Sequence, residues 1–210
     1  MTYGRFVTLD GPGGVGKSTT LGTLAELLRR FGTPVHTTAE PSSSALGQFT
    51  RSHADQIQGR ALACLVAADR YEHIRSEIQP HLDGGETVMC DRYLASTLVV
   101  QQLDGVPERF LLDLNADILL PDLSVILTAD PQAIRRRLAE RGAHHRFERD
   151  PKVPAREAAL YRRADQTMRR LGVPVLVVDT TQATPSDTAK RIASALRAVP
   201  GSVASGPIDR

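Results

Sequence analysis

The residues with the clearest chemical content lie near the N-terminus. Gly11-Pro12-Gly13-Gly14-Val15-Gly16-Lys17-Ser18, with Thr19 behind it, fits the spacing G-x-x-x-x-G-K-[ST]. Glycines at this spacing let successive backbone N–H groups turn inward around an anion, and the N-terminus of a following helix adds about half a positive charge. Lys17 can reach the β- and γ-phosphates of a nucleotide, and the Ser18 hydroxyl can ligate Mg²⁺. Glycine at two fixed places arises by chance in only ~0.5% of windows. The Lys-Ser pair, the apolar run before it and the helical pattern after it make a chance turn rarer still. ATP or GTP with Mg²⁺ is the expected ligand.

Two further groups could complete a phosphoryl-transfer site. In Asp91-Arg92-Tyr93, Asp91 ends an apolar run where an acid can hold Mg²⁺ or its water beside the loop, and Arg92 can contact a second phosphoryl group. The plain alternative is a helix cap with a solvated arginine. In Ala68-Asp69-Arg70 the last two residues could be a surface pair, or Arg70 could reach into an acceptor pocket; the residues alone leave both open. Residues 135–149 hold six arginines against Glu140 and Glu148. Arg135 and Arg136 read as partners of a helix dipole. Arg141 and Arg146 read as part of an arginine-rich lid that closes over ATP, neutralises the moving phosphoryl group and excludes water. His144 and His145 are adjacent and have no acid or cysteine spaced for a metal, so they read as lid surface. No N-K-x-D base-reading motif is present, which speaks against a GTPase. The extra lysine of the partitioning ATPases is replaced by Pro12.

These residues need a scaffold, and the apolar pattern supplies one. Short runs at 5–10 (RFVTLD), 34–38, 87–91, 123–128 and 173–179 read as buried parallel strands. Helical patterns alternate with them. Leu21, Leu24, Ala25, Leu28 and Phe31 fall on one face of a helix that Gly32 ends. A second helix runs over 62–78, stopped by Pro80; another over 131–141, opened by Asp130-Pro131; two more over 155–171 and 186–198. Alternating strands and helices imply an α/β fold with right-handed crossovers. Ligands in such sheets sit at the carboxyl ends of the strands, so Asp10, Glu40, Asp91 and Asp179 are the polar residues that count.

At 210 residues the chain is expected to form one domain, 1–198, with a lid at about 141–151 and a tail over 199–210 rich in Pro, Gly and Ser. It is 41% hydrophobic and 24% charged, which excludes bulk disorder, collagen and coiled coil. A net charge of +2 argues against binding a nucleic acid polymer. Among the basic residues only Lys17, Lys152 and Lys190 are lysines; the rest are arginines, suited to bidentate phosphate contacts. Cys64 and Cys90 lie in apolar segments with no metal-like spacing and are expected to be reduced core residues. Residues 1–5 hold no signal-peptide core, and no apolar run approaches the ~20 residues of a membrane helix. A soluble, cytoplasmic protein without membrane contact is expected.

Taken in order, the motifs resemble the thymidylate kinase family of nucleoside monophosphate kinases. The resemblance covers about 6–179. It rests on the phosphate loop after FVTLD, Glu40-Pro41 with Leu46-Gly47-Gln48 and Arg51, Ala68-Asp69-Arg70, Asp91-Arg92-Tyr93 with Ser96-Thr97, Pro121-Asp122-Leu123, and RGAHHRFE over 141–148. It implies a P-loop NTPase fold with a five-stranded parallel sheet flanked by helices on both faces, and a homodimer packed through helices. It also implies transfer of the ATP γ-phosphoryl to the 5′-phosphate of a nucleoside monophosphate, dTMP being the best single acceptor. By the same resemblance Gly11, Gly13, Gly14, Val15, Gly16, Lys17, Ser18 and Thr19 hold ATP, and Ser18 with Asp91 holds Mg²⁺. Arg92 and Arg51 take the acceptor phosphate, and Arg70 meets the base edge. Asp10, Glu40, Val66, Thr97 and Gln101 line the acceptor side, while Lys17, Arg92, Arg141 and Arg146 serve the transfer itself. Three positions depart from the family pattern. Gly13 replaces an acid of the loop, Val66 replaces the aromatic that stacks on thymine, and Val100 replaces an aromatic near the sugar. They motivate an alternative acceptor, a nucleoside or a specialised metabolite. A P-loop ATPase switch is the remaining alternative, against which the arginine-rich lid and Arg70 speak.

Overall fold

A computed structural model of the chain describes residues 4–141 and 153–199. Its centre is a five-stranded, all-parallel sheet of β1 (Phe6–Asp10), β2 (Val35–Ala39), β3 (Thr87–Asp91), β4 (Leu123–Thr128) and β5 (Val175–Asp179), in the order β2-β3-β1-β4-β5. The chain moves to one side of β1 for β2 and β3, then to the other for β4 and β5. The order therefore reverses at β1, and a crevice opens at the carboxyl ends of β1 and β3. Register places Leu9 opposite Asp91 and Asp10 opposite Ile126.

Alternation along the strands builds a core on each face of the sheet. Phe6, Val88, Cys90 and Ile126 face Leu94 and Leu98 of α5 (Leu94–Leu103) and Tyr161 and Met168 of α8 (Val153–Arg170). Val7, Leu9, Met89 and Leu127 face Leu24 and Leu28 of α1 (Lys17–Arg30) and Ile192 and Leu196 of α9 (Pro185–Ala198). Each side chain of this size contributes ~1.5–3 kcal/mol when removed from water. The motif Pro121-Asp122-Leu123 has its use here: Asp122 Oδ2 accepts from Phe6 N at 2.7 Å, and Asp122 N donates to Phe6 O at 2.8 Å, fixing where β1 and β4 begin to pair.

Several expectations need correction. Phe31 is 73% exposed. Gly32 adopts φ 78°, with Gly32 N donating to Arg29 O and Thr33 N to Leu28 O, so the helix closes in a Schellman cap one residue before Phe31 could reach the apolar face. Cys64 is exposed on α3 (Gly59–His73), whereas Cys90 is buried in β3. The long middle helix does not stop at Pro80. A π turn, Ile74–Ile78, precedes α4 (Gln79–Asp83), and Gln79 N bonds Ile74 O. The wider turn gives the proline ring room that a regular helix denies it. Two short helices went unread, α2 (Ala45–His53), capped by Ser44 accepting from Gly47 N, and α6 (Glu108–Leu114). Strands β2 and β5 begin one and two residues later than expected, and α8 begins at Val153. Among the described residues no helix is long and apolar enough to cross a membrane. The lid over 141–151 lies outside the described residues apart from the backbone of Arg141, which ends α7 (Pro131–Arg141); so does the tail from 200.

Candidate active site

The glycine-rich loop leaves β1 and opens α1. Gly11 sits at φ 145°, where a Cβ would come within 2.4 Å of Leu127 O; Gly14 sits at φ 75° against Leu138 of α7, and Gly16 at φ 97°. These conformations are open to glycine at little cost. Val15 turns its side chain into the core, so its part in any ligand contact falls to the backbone. Lys17 is buried, and its Nζ donates to Gly11 O and Pro12 O, both at 2.9 Å. Burial first, and the Arg92 guanidinium second, lower its ammonium pKa to about 7; Asp91, Glu157 and Asp10 pull the other way. The loop thus holds a cation folded back on its own carbonyls, ready to turn to a stronger anion.

Ser18 Oγ donates to Asp91 Oδ2 at 2.6 Å, while Asp91 Oδ1 is buried without a hydrogen-bond partner among the described residues. A hydroxyl and a carboxylate side by side, with one oxygen orphaned, form a hard-oxygen pair of the kind Mg²⁺ selects. Arg92 follows at φ 75°, a left-handed conformation that is strained for a side chain of this size. Its N–H donates to Leu9 O at 2.9 Å, and its carbonyl accepts from Cys90 Sγ at 3.0 Å, which hold it there. Asp10 lies at the same strand ends but is fully buried. Its Oδ1 accepts from Tyr93 N and Ser96 N at 2.9 and 2.8 Å, so the residue caps the start of α5 and aims Arg92; burial raises its carboxyl pKa.

Asp69 and Arg70 are not a surface pair: both are 1% exposed. Asp69 accepts from Ser42 N, Ser42 Oγ and Ser44 Oγ, tying α3 to the β2–α2 loop. Gly47 allows that approach, since a Cβ there would meet Ser42 O at 2.3 Å. Arg70 donates from Nε and Nη2 to Glu40 Oε2 at 2.9 and 2.6 Å, from Nη2 to Thr97 Oγ1 at 2.8 Å and from Nη1 to Asn115 Oδ1 at 2.7 Å. Its guanidinium carbon lies 4.8 Å from the centre of the Tyr93 ring. Arg51 of α2 donates to Pro41 O, the residue after Glu40, and Glu40 N donates to Asp91 O at 3.0 Å. A continuous path of bonds therefore runs from the phosphate loop through Asp91 and Glu40 to Arg70.

On the other side of the loop a cavity of about 480 Å³ is bordered by Gly14, Lys17 and Thr19, by Arg137 of α7, and by Thr180, Ala183 and Pro185 after β5. Thr180 Oγ1 donates to Val15 O at 2.9 Å and its N–H to Thr128 O at 2.7 Å, while Arg137 Nη2 donates to Thr180 O at 2.7 Å. Thr180, Arg137 and Asn115 are the functional candidates that sequence reasoning missed. Asp179 drew attention instead, yet it is exposed, and its Oδ1 accepts from Thr181 N and Thr181 Oγ1, capping that turn. Arg135 and Arg136 are exposed in the middle of α7, too far from its last turn for the dipole to act on them. Gln101 is buried with Oε1 unpartnered among the described residues; Val66 is half-buried on α3. Arg146, His144, His145 and the Arg141 side chain lie outside the described residues.

The family model for thymidylate kinase matches residues 9–192. Thymidylate kinase of Clavibacter sepedonicus is 39% identical over 188 residues, 84% of this chain and 87% of that one. The enzyme of Deinococcus radiodurans is 37% identical over 156 residues, 70% and 76% of the two chains. Thymidylate kinase from Candida albicans superposes with a TM-score of 0.74 at 19% identity, covering 93% of this chain and 92% of that one, which confirms the fold. Motif order, the geometry of the loop and these matches agree, and the chain belongs to the thymidylate kinase family.

Proposed function

We propose that the protein transfers the γ-phosphoryl group of ATP to the 5′-phosphate of dTMP, giving dTDP and ADP. The observation that supports this reading is the bonded path from Ser18 to Asp91, Glu40 and Arg70, which joins the triphosphate cradle to the buried arginine on the acceptor side. The loop amides and Lys17 hold the donor phosphates, and the cavity beside Arg137 and Thr180 takes the donor base. Ser18 and Asp91 would hold Mg²⁺, which supplies charge neutralisation on the donor phosphates when bound. Arg92 and Arg51 receive the acceptor phosphate. Among the described residues four of the five N–H groups of Arg70 are bound, which leaves one on Nη1 for a carbonyl at the base edge. Arg141 and Arg146, whose side chains lie outside the described residues, are read as cations that neutralise the transferring group. Such catalysis needs positioning and electrostatics more than covalent chemistry.

Gly13, Val66 and Val100 favour a second reading in which the same chemistry serves a less aromatic acceptor, a nucleoside or a small metabolite. A coupled ADP-release assay over a panel of nucleoside monophosphates, nucleosides and small phosphate acceptors separates the two, with Lys17→Ala as the blank. The highest kcat/KM is expected for dTMP. Turnover confined to another acceptor class selects the second reading, and ATP turnover indifferent to every acceptor refutes both. We read the enzyme as a cytoplasmic homodimer; sedimentation velocity at micromolar concentration tests the dimer.

A further inference from the structure

A polar seam runs away from the acceptor side, and beyond Arg70 and Glu40 its residues have no part in the function proposed above. Along β2 and its exit, His36, Thr38 and Glu40 alternate onto one face. Along the middle helix, Arg70, His73 and Glu77 follow at the three- and four-residue spacing of one helical face. The two rows meet in antiparallel order. Arg70 bonds Glu40, His73 Nε2 lies 2.8 Å from Thr38 Oγ1, and His36 Nε2 lies 2.8 Å from Glu77 Oε1. Beyond them His81 stacks on His36, with ring centres 3.6 Å apart and planes 8° from parallel, and its Nδ1 lies 2.7 Å from Glu86 Oε1.

The middle of the seam is the informative place. The His73 side chain is completely buried, and among the described residues Nδ1 has no hydrogen-bond partner; the acidic atom it approaches is Glu40 Oε1 at 3.6 Å. Arg70 binds Glu40 chiefly through Oε2, its Nε being 3.3 Å from Oε1. Oε1 is therefore the oxygen that faces His73 Nδ1. On its other edge, His73 Nε2 is 3.4 Å from Glu77 Oε2. The groups facing His73 are thus Glu40 and Thr38 from the strand, Glu77 from the π turn, and Arg70 through Glu40. A buried ion pair such as Arg70–Glu40 stabilises little by itself, and its geometry depends on how the spare lone pairs are held.

We propose that His73 is a positioning residue for acceptor recognition: through Glu40 it sets the plane of the Arg70 guanidinium, and the Thr38–Glu77–His36 seam holds His73 in place. The proposal rests on the reading of Arg70 as the group that meets the acceptor base. A networked residue of this kind shifts affinity by roughly twofold to thirtyfold when altered.

The test compares two isosteres. His73→Asn keeps an amide near the position of Nδ1, facing Glu40; His73→Gln keeps one near Nε2, facing Thr38. In steady-state kinetics with dTMP and ATP, His73→Gln is expected to raise the KM for dTMP several-fold, with a smaller change in kcat and in the KM for ATP, and His73→Asn to recover most of the loss. Equal effects in the two variants, none in either, or the milder loss in His73→Gln overturn the proposal, because a histidine that only holds the seam together acts through its Nε2 contact with Thr38. Should neither variant fold, Glu77→Gln at the half-exposed end of the seam gives the answer: a selective rise in the KM for dTMP upholds the proposal, and an unchanged KM overturns it. The ¹⁵N–¹H signal of Arg70 Nε, assigned by its loss in Arg70→Lys, reports the clamp without any substrate. It should move in His73→Gln and stay in His73→Asn; an unmoved signal in both overturns the seam. Failure of the wild-type protein to phosphorylate dTMP overturns the functional reading alone.

Discussion

Lys17 offers a quantitative handle on the phosphate loop. In the free protein its ammonium pKa is lowered to about 7, by burial first and by the nearby Arg92 guanidinium second. Above pH 7 the free loop holds mainly the neutral amine, while a bound triphosphate favours the ammonium. Binding must therefore take up a proton, about 0.9 per site at pH 8 for a pKa near 7. Affinity must fall as pH rises. Between pH 7 and pH 9 the dissociation constant for ATP in the presence of Mg²⁺ should increase by about fiftyfold, or ~2.3 kcal/mol, provided the bound lysine stays charged across that range. Calorimetry at pH 8 in two buffers of different ionisation enthalpy measures the proton directly, and a Kd series from pH 7 to 9 measures the slope. Lys17→Met should bind more weakly and lose both effects. A flat Kd over this range, with a heat independent of buffer, would refute the reading that burial leaves Lys17 of the free loop mainly neutral above pH 7.

Other consequences follow from single contacts. Arg92→Lys keeps a charge but loses the guanidinium fork, and kcat/KM for dTMP should fall by about 10²–10³, the usual cost of removing one transition-state donor, with thermal melting as the control for folding. Thr180→Val removes the hydroxyl that joins Val15 O to Thr128 O. At ~1 kcal/mol for a hydrogen bond, the KM for ATP should rise about fivefold in initial-rate measurements while the KM for dTMP stays put. Val66→Phe places a ring where the family carries its stacking aromatic. Stacking on a base is worth ~1–3 kcal/mol, so the KM for dTMP should drop at least about fivefold, and a KM that rises would show that the acceptor base lies elsewhere.

Legibility followed the range of the interactions. Strands β3 and β4 and helix α7 were readable to the residue, because a continuous apolar run or an Asp-Pro start marks them locally. The loop was readable because its glycine conformations and its lysine are one contiguous string. Asn115 was not, since it reaches Arg70 from 45 residues away out of a short helix without a clear apolar rhythm. Thr180 was hidden for a similar reason: its partners Val15 and Thr128 belong to elements that meet only once the sheet is assembled. Asp179 looked more chemical than its neighbour, yet at that strand end Thr180 turns inward and Asp179 turns to water. The seam from His36 to Arg70 shows the intermediate case, in which both periodicities are printed in the chain but only their antiparallel meeting gives them a meaning.

The chain carries two cysteines, one exposed on α3 and one sealed in β3, and burial pushes the Cys90 thiol far above its ordinary pKa. A maleimide dye should therefore label one position alone, with no cysteine having to be engineered away. Six helical residues separate Cys64 from Arg70, about 9 Å along the axis. A fluorophore so placed rides on the helix that carries Arg70, the residue proposed to meet the acceptor base, and its emission is expected to report the arrival of the acceptor in real time.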